Sequence, residues 1–387
     1  MNISDDCMLL VNNSDCTILS ESEYVSSVRG PKYLSWKLIV PVTLVYMIIF
    51  VTGVIGNVAT CIVIVKNSSM HNSINCYLFN LAVSDLMFLI LGLPHELGEY
   101  WEQYPWKWGL VMCKLRAYVS EICSYVSVLT IVGFAIERYM AICHPFRQNS
   151  EDLKRSMRFI LVAWMIASFS ALPIAVYINL DFVEYPPKSN RYSSESAICV
   201  MKTNDIPNFP LYGLSCFCFF LLPMAFIAVF YTRICLRIQT ESFVLNVGGF
   251  VHGENKHAQL RKTIRILSAV VVTFFICWAP FHVQRIMTAY NIGTPDIDRW
   301  LYPLTGCLYY FSATINPILY NLISAKYRDA FKETCCYSSR KHISRSAISS
   351  MRHSSMVSAT GTRIESQVSP MRHVESKLLK NNLHTAV

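Results

Sequence analysis

Residues 124–146 read SYVSVLTIVGFAIERYMAICHPF, from Ser124 to Phe146. The first half is nearly all apolar, yet the run closes by setting a carboxylate beside a guanidinium in Glu137-Arg138-Tyr139. A helix apolar on every side is either the centre of a large soluble core or a membrane span. In a membrane, the last turn of such a span reaches water, where a charge pair can stand. The rest of the chain decides between the two.

The 387 residues are 53% hydrophobic and 15% charged, with mean hydropathy +0.35. Soluble chains carry about 25% charged residues. Apolar runs near 38–65, 74–98, 111–143, 156–179, 209–236, 264–290 and 300–323 recur along the chain. Each reaches the roughly 20 residues that cross ~30 Å of hydrocarbon. Backbone groups in lipid must be satisfied inside their own element, so these runs are helices. The expected fold is an all-α membrane protein, a seven-transmembrane helix bundle over 38–323. A short cytosolic amphipathic eighth helix is expected at 324–336, in SAKYRDAFKETCC. A leader, 1–37, precedes the bundle, and a tail, 337–387, rich in Ser, Arg and His, follows it. The tail is too poor in apolar residues to pack and is expected to be disordered.

Seven spans place the chain ends on opposite sides. Lys66, Lys154, Arg155, Arg158, Arg237, Arg261, Arg328 and Lys332 fall on one side, which the positive-inside bias makes cytosolic. The N-terminus is then extracellular, and the net charge of +9 reflects this bias plus a basic tail, not nucleic-acid binding. The start lacks a basic segment ahead of an apolar core, so no cleaved signal peptide is expected. Asn2 and Asn12 sit in glycosylation sequons on the outer side. Of fifteen cysteines, Cys113 and Cys199 face the oxidising compartment, where a disulfide would staple the loop after span four over the helix ends. Cys335 and Cys336 follow the amphipathic segment and suit palmitoylation.

Polar groups inside the spans are costly, at ~2.5–3.5 kcal/mol for a mid-bilayer charge even on the lenient scale. Asp85 is one, with Asn57, Asn316 and Ser127 as candidate partners. A bare structural cluster and a sodium site at Asp85 and Ser127 both remain open. Pro223, Pro280 and Pro317 each remove a helical hydrogen bond beside an aromatic or amide residue: Tyr231, Trp278, and Asn316 with Tyr320. Phe274 and Trp278, four apart, share a face. Three such joints suit helices that pivot.

Asn57, LAVSD around Asp85, Cys113, Glu137-Arg138-Tyr139, Trp164, Pro223, Cys277-Trp278-Ala279-Pro280 and Asn316-Pro317-Ile318-Leu319-Tyr320 follow in order, one set per span. The chain so resembles the rhodopsin-class (class A) G-protein-coupled receptors over about 38–336. That resemblance implies that Glu137 holds Arg138 at rest, and that Arg138 swings out to a heterotrimeric G protein on activation. Tyr231 and Tyr320 would then turn toward it. The chain departs from the family pattern at Glu137, where Asp is commoner, and at Leu260, where some relatives place an acid that clamps the Arg.

On span six, Trp278, His282 and Arg285 share a face. Glu96 lies close to three turns beyond Asp85, and Glu121 lies on span three. A mutual Glu–Arg salt bridge and acids awaiting a cationic ligand are both open. Ser120 stands one position before Glu121, where amine receptors carry Asp, and span seven lacks the Lys that retinal proteins need. EYWEQYPWKWG (99–109) and FFICWAPFHVQRIM (274–287) are similar to the neuromedin U receptor group and its arthropod pyrokinin and CAPA relatives. Receptors for neurotensin, ghrelin and thyrotropin-releasing hormone are the neighbouring alternative. The resemblance implies a peptide hormone or neuropeptide ending in Pro-Arg-X-amide. Its Arg would meet Glu96 and Glu121, Arg285 and His282 would bond carbonyls or the amide, and Phe281, Tyr302 and Tyr309 would complete the set. It also implies plasma-membrane location and coupling to Gq and calcium release. Tail serines near arginines suit a receptor kinase and arrestin, and Thr385-Ala386-Val387 resembles a PDZ-domain ligand. A transporter would show internal repeats, which are not seen. An enzyme would need converging nucleophile, base or metal ligands, and His95-Glu96 has no second His at zincin spacing. No enzymatic activity is expected.

Overall fold

The computed structural model describes residues 19–144, 152–201, 211–248, 254–290, 292, 295–323 and 327–334, with the side chains of 152, 241–248, 254–267, 270, 295–299 and 323 excepted. Among these, seven long helices follow in order: α1 Trp36–Lys66, α2 Ser73–Trp101, α3 Gly109–Cys143, α4 Asp152–Tyr177, α5 Leu211–Gly248, α6 Glu254–Ala289 and α7 Pro295–Ile323. From α1 to α5, each carries an apolar window of spanning length within the described residues. The helices run beyond the apolar stretches that end at 236 and begin at 264: α5 continues to Gly248 and α6 starts at Glu254.

Three local breaks shape the bundle. α2 is interrupted at Gly92, between Ser73–Leu91 and Leu93–Trp101, with Pro94 in the first turn of the second piece. Proline fits there because the first N–H groups of a helix lack partners anyway. In α5, a π-helical turn spans Phe217–Leu221 just ahead of Pro223, whose missing N–H removes the usual helical bond to the Phe219 carbonyl. In α7, Pro317 likewise orphans the carbonyl of Ala313. Asn57 of α1 fills it, donating to Ala313 O at 2.8 Å and to Gly53 O at 3.0 Å. Asn57 therefore serves the α7 kink rather than Asp85, the partner that sequence reasoning considered. Close approach makes this possible: a Cβ on Gly53 would fall 2.6 Å from Leu89 Cδ1 and Thr314 Oγ1.

Beyond α4, β1 (Ile178–Asp181) pairs antiparallel with β2 (Ile198–Met201), setting Leu180 opposite Cys199. Cys199 is disulfide-bonded to Cys113 at the start of α3. Lys114, the next residue, donates to the carbonyls of Ala175, Val176 and Ile178 at 3.1, 2.8 and 2.7 Å, closing the last turn of α4.

The leader is not featureless. Glu21–Arg29 is a helix with a reciprocal capping box between Ser20 and Glu23, and it stops at Gly30, whose φ of 85° an L side chain would resist. It lies on the hairpin end of the bundle, with Val25 buried, Tyr185 donating to Leu19 O at 3.0 Å and Tyr104 donating to Gly30 O at 2.8 Å. At the other end, residues 327–334 are helical, with Tyr327 and Ala330 buried and Tyr327 hydroxyl 3.0 Å from Thr60 Oγ1. Asn2, Asn12, Cys335, Cys336 and Thr385-Ala386-Val387 lie outside the described residues.

Candidate functional site

A cavity of about 650 Å³ opens at the hairpin end, within the range usual for ligand sites. α2 supplies Glu96, Glu99 and Tyr100, α6 supplies Phe281 and Gln284, and α7 supplies Tyr302, Thr305 and Tyr309. Arg29 and Pro31, from the end of the leader helix, complete the wall. The two acids are not equivalent. Glu99 is paired with Arg116 of α3 at 3.1 Å, and Arg116 also sits 5.6 Å above the Trp106 ring. Glu96 accepts from Tyr46 hydroxyl at 2.7 Å and lies in no ion pair among the described residues. A carboxylate on a cavity wall that is in no ion pair is a candidate partner for a cationic ligand group.

Deeper, Arg285 Nη1 meets Glu121 Oε1 at 2.7 Å, with both side chains largely buried at 13% and 10% exposure. The guanidinium also covers the Tyr212 ring at 4.3 Å. The mutual salt bridge that the sequence left open is thus present, and neither residue is on the wall of the 650 Å³ cavity. His282 is buried against Phe220 and Trp278, with ring centroids 4.9 and 6.2 Å away, and it too is off that wall. Of the seven residues named from sequence for the ligand, the structure gathers Glu96, Phe281, Tyr302 and Tyr309 around the cavity.

Aromatic contacts lead from the cavity inward. Phe281 stacks on Tyr309 at 4.0 Å, Tyr309 meets Trp278 edge-on at 5.0 Å, and Trp278 stacks on Phe274 at 5.1 Å. Tyr309 is also hydrogen-bonded to Ser124 of α3. Trp278 and Phe274 then border a small void of about 20 Å³ that also touches Asp85, Ser127, Ser312 and Asn316. Asn316 Nδ2 donates to Asp85 Oδ2 at 2.9 Å. That void is near the size of one water, and its carboxylate and hydroxyl oxygens are hard donors of the kind a sodium ion takes. Asn80 of α2 ties α3 to α4 nearby, donating to Thr130 at 2.8 Å and accepting from Trp164 at 2.9 Å.

At the opposite end, Glu137 makes no ion pair with Arg138 among the described residues, although the two lie close enough to feel each other's charge. Both its oxygens accept from Arg155 Nη2 of α4, at 3.1 and 3.2 Å. Neighbours in a helix point about 100° apart, so Glu137 faces α4 while Arg138 faces the bundle axis. Arg138 lies 5.6 Å from the Phe134 ring, and its buried Nε has no hydrogen-bond partner among the described residues. The Tyr231 hydroxyl is likewise buried and without one, and it lies close enough to Arg138 to feel its charge. Tyr320 is buried among α7 and 327–334, 6.4 Å from Tyr327 between ring centroids.

Sequence reasoning passed over Glu99, Arg116 and Arg29. Glu99 follows Glu96 by three and so shares its face. Arg116 was a cation inside an apolar span, a signal of the same weight as Asp85. Arg29 gave none, because its position depends on how the leader folds back.

A bundle of seven spanning helices, with a polar cluster at mid-depth and an arginine at one mouth, defines a seven-helix membrane receptor. Residues 56–320 match the 7 transmembrane receptor (rhodopsin family), and the chain belongs to that family. It is thus a multi-pass plasma-membrane receptor of the G-protein-coupled class, not an enzyme. It is 36% identical over 349 residues to a neuromedin U receptor homolog of Caenorhabditis elegans, covering 83% of this chain and 86% of that one. It is 34% identical to the pyrokinin-1 receptor of Drosophila melanogaster, covering 78% and 81%, and 34% identical to neuromedin-U receptor 2 of Mus musculus, covering 85% and 82%.

Proposed function

We propose that the chain is a receptor for an amidated neuropeptide of the pyrokinin, CAPA or neuromedin U type, whose penultimate Arg enters the cavity at Glu96. The observation that carries this is the pairing of an acid in no ion pair among the described residues with a wall residue, Tyr309, in direct contact with Trp278. The names of the relatives support a peptide as the ligand. With the hairpin end facing outward, the peptide approaches from the cell exterior. A side chain pressed on Phe281 and Tyr309 displaces Trp278, and the joint at Pro280 lets α6 move. Asp85 and Asn316 sit where α2 and α7 must shift together, and a sodium ion held by Asp85 and Ser127 would favour the resting arrangement.

At the cytosolic mouth, Arg138 with Tyr139 receives the G protein, with Gq and calcium release as the expected signal. Glycosylation at Asn2 and Asn12, palmitoylation at Cys335 and Cys336, kinase and arrestin action on the tail, and PDZ binding by Thr385-Ala386-Val387 complete the reading. Calcium responses of transfected cells to a panel of amidated peptides test it. A response that Arg138→Ala abolishes without loss of peptide binding is expected. Silence to every Pro-Arg-X-amide peptide would contradict it.

A further inference from the structure

We propose that Arg29 is a direct ligand contact, donating from its guanidinium to a backbone carbonyl of the bound peptide. The idea rests on the peptide-receptor reading above and adds a binding residue from the leader, outside the helix bundle. Arg29 is the last residue of the leader helix and lies on the wall of the same cavity as Glu96. One end of its guanidinium is fixed: Nη2 lies 2.6 Å from Asp181 Oδ2 of β1, with the two side chains 16% and 24% exposed. Its Nε, on the same edge as Nη2, is buried. The far nitrogen, Nη1, is not buried and has no hydrogen-bond partner among the described residues.

A cationic donor with no protein partner on the wall of a ligand-sized cavity is placed to meet a ligand acceptor. Arginine carries five donors and no acceptor, so the group it meets must be an acceptor. Asp181 already balances its charge, which favours a neutral carbonyl over a carboxylate. The segment is also held in place before any ligand arrives. Tyr104 anchors Gly30 O at 2.8 Å, and Gln103 N donates to Lys32 O at 3.0 Å. The cavity thus offers a cation site at Glu96 and a donor at Arg29, and an extended peptide carries both complements along one edge.

The test measures binding of a fluorescent synthetic peptide ending in Pro-Arg-Leu-amide to membranes from cells expressing the full chain, with surface levels read by an epitope tag. Arg29→Ala is expected to weaken binding at least tenfold at unchanged surface level. If that variant fails to reach the surface, Arg29→Gln carries the same expectation. The exchange R29D with D181R rebuilds the ion pair but removes the donor, and should stay at least tenfold weak. Binding within threefold of wild type for Arg29→Ala, or recovery by the exchange, would overturn the proposal while leaving the peptide-receptor reading intact. Failure of the wild-type chain to bind any amidated peptide would instead overturn both.

Discussion

Arg285 and Glu121 are joined across α6 and α3 at 2.7 Å, below the cavity and beside the buried His282. The pair fixes the distance between α3 and α6 below the cavity. Removing one partner of a buried ion pair leaves the other uncompensated, at about 3–5 kcal/mol. Glu121→Gln should therefore lower the thermal stability of the detergent-purified receptor more than the double change Glu121→Gln with Arg285→Gln does. Additive losses in the thermal-shift measurement would show that the two side chains act independently.

Arg155 and Glu137 make the second structural prediction. Arg155 is 47% exposed, so the pair is worth only ~0.2–1 kcal/mol. Arg155→Ala frees the Glu137 carboxylate to turn toward Arg138. Basal G-protein activation should fall by roughly 1.4- to 5-fold, the factor that such an energy sets. A rise in basal signalling would mean that Arg155 itself restrains Arg138.

Lys114 holds three carbonyls at the end of α4. Charged hydrogen bonds contribute about 1.5–3 kcal/mol each when their loss leaves a partner unmet. Lys114→Met keeps the length and removes the donors. It should lower the temperature of inactivation and the surface level while leaving the affinity of the surviving receptor within about threefold. A stable variant would show that water replaces the ammonium.

The seven spans were legible because hydrocarbon imposes a length and an apolar composition that little else imitates. The buried polar residues were legible too, since each is expensive alone: Asp85, Asn316 and Glu96 could be named from sequence and are met in the structure at mid-bundle or on the cavity wall. What escaped was the choice of partner. Asn57 goes to the carbonyl freed by Pro317, and Glu137 to Arg155, because partners on other helices depend on rotation and approach, which periodicity does not encode. The leader helix had a local signature in Ser20, Glu23 and Gly30-Pro31, but its docking on the hairpin rests on contacts between residues 152 positions apart, such as Arg29 and Asp181.

The central claim is that Glu96 receives the cation of the peptide, and a double-substitution cycle tests it most directly. Affinities of wild type and Glu96→Gln would be measured for a Pro-Arg-Leu-amide peptide and for its analogue with citrulline, a neutral isostere, in place of Arg. In the wild type, citrulline should cost about 2–5 kcal/mol, as removal of one partner of a desolvated charge pair does. In Glu96→Gln most of that loss should vanish. An equal loss from citrulline in both receptors would place the cation elsewhere and contradict the account.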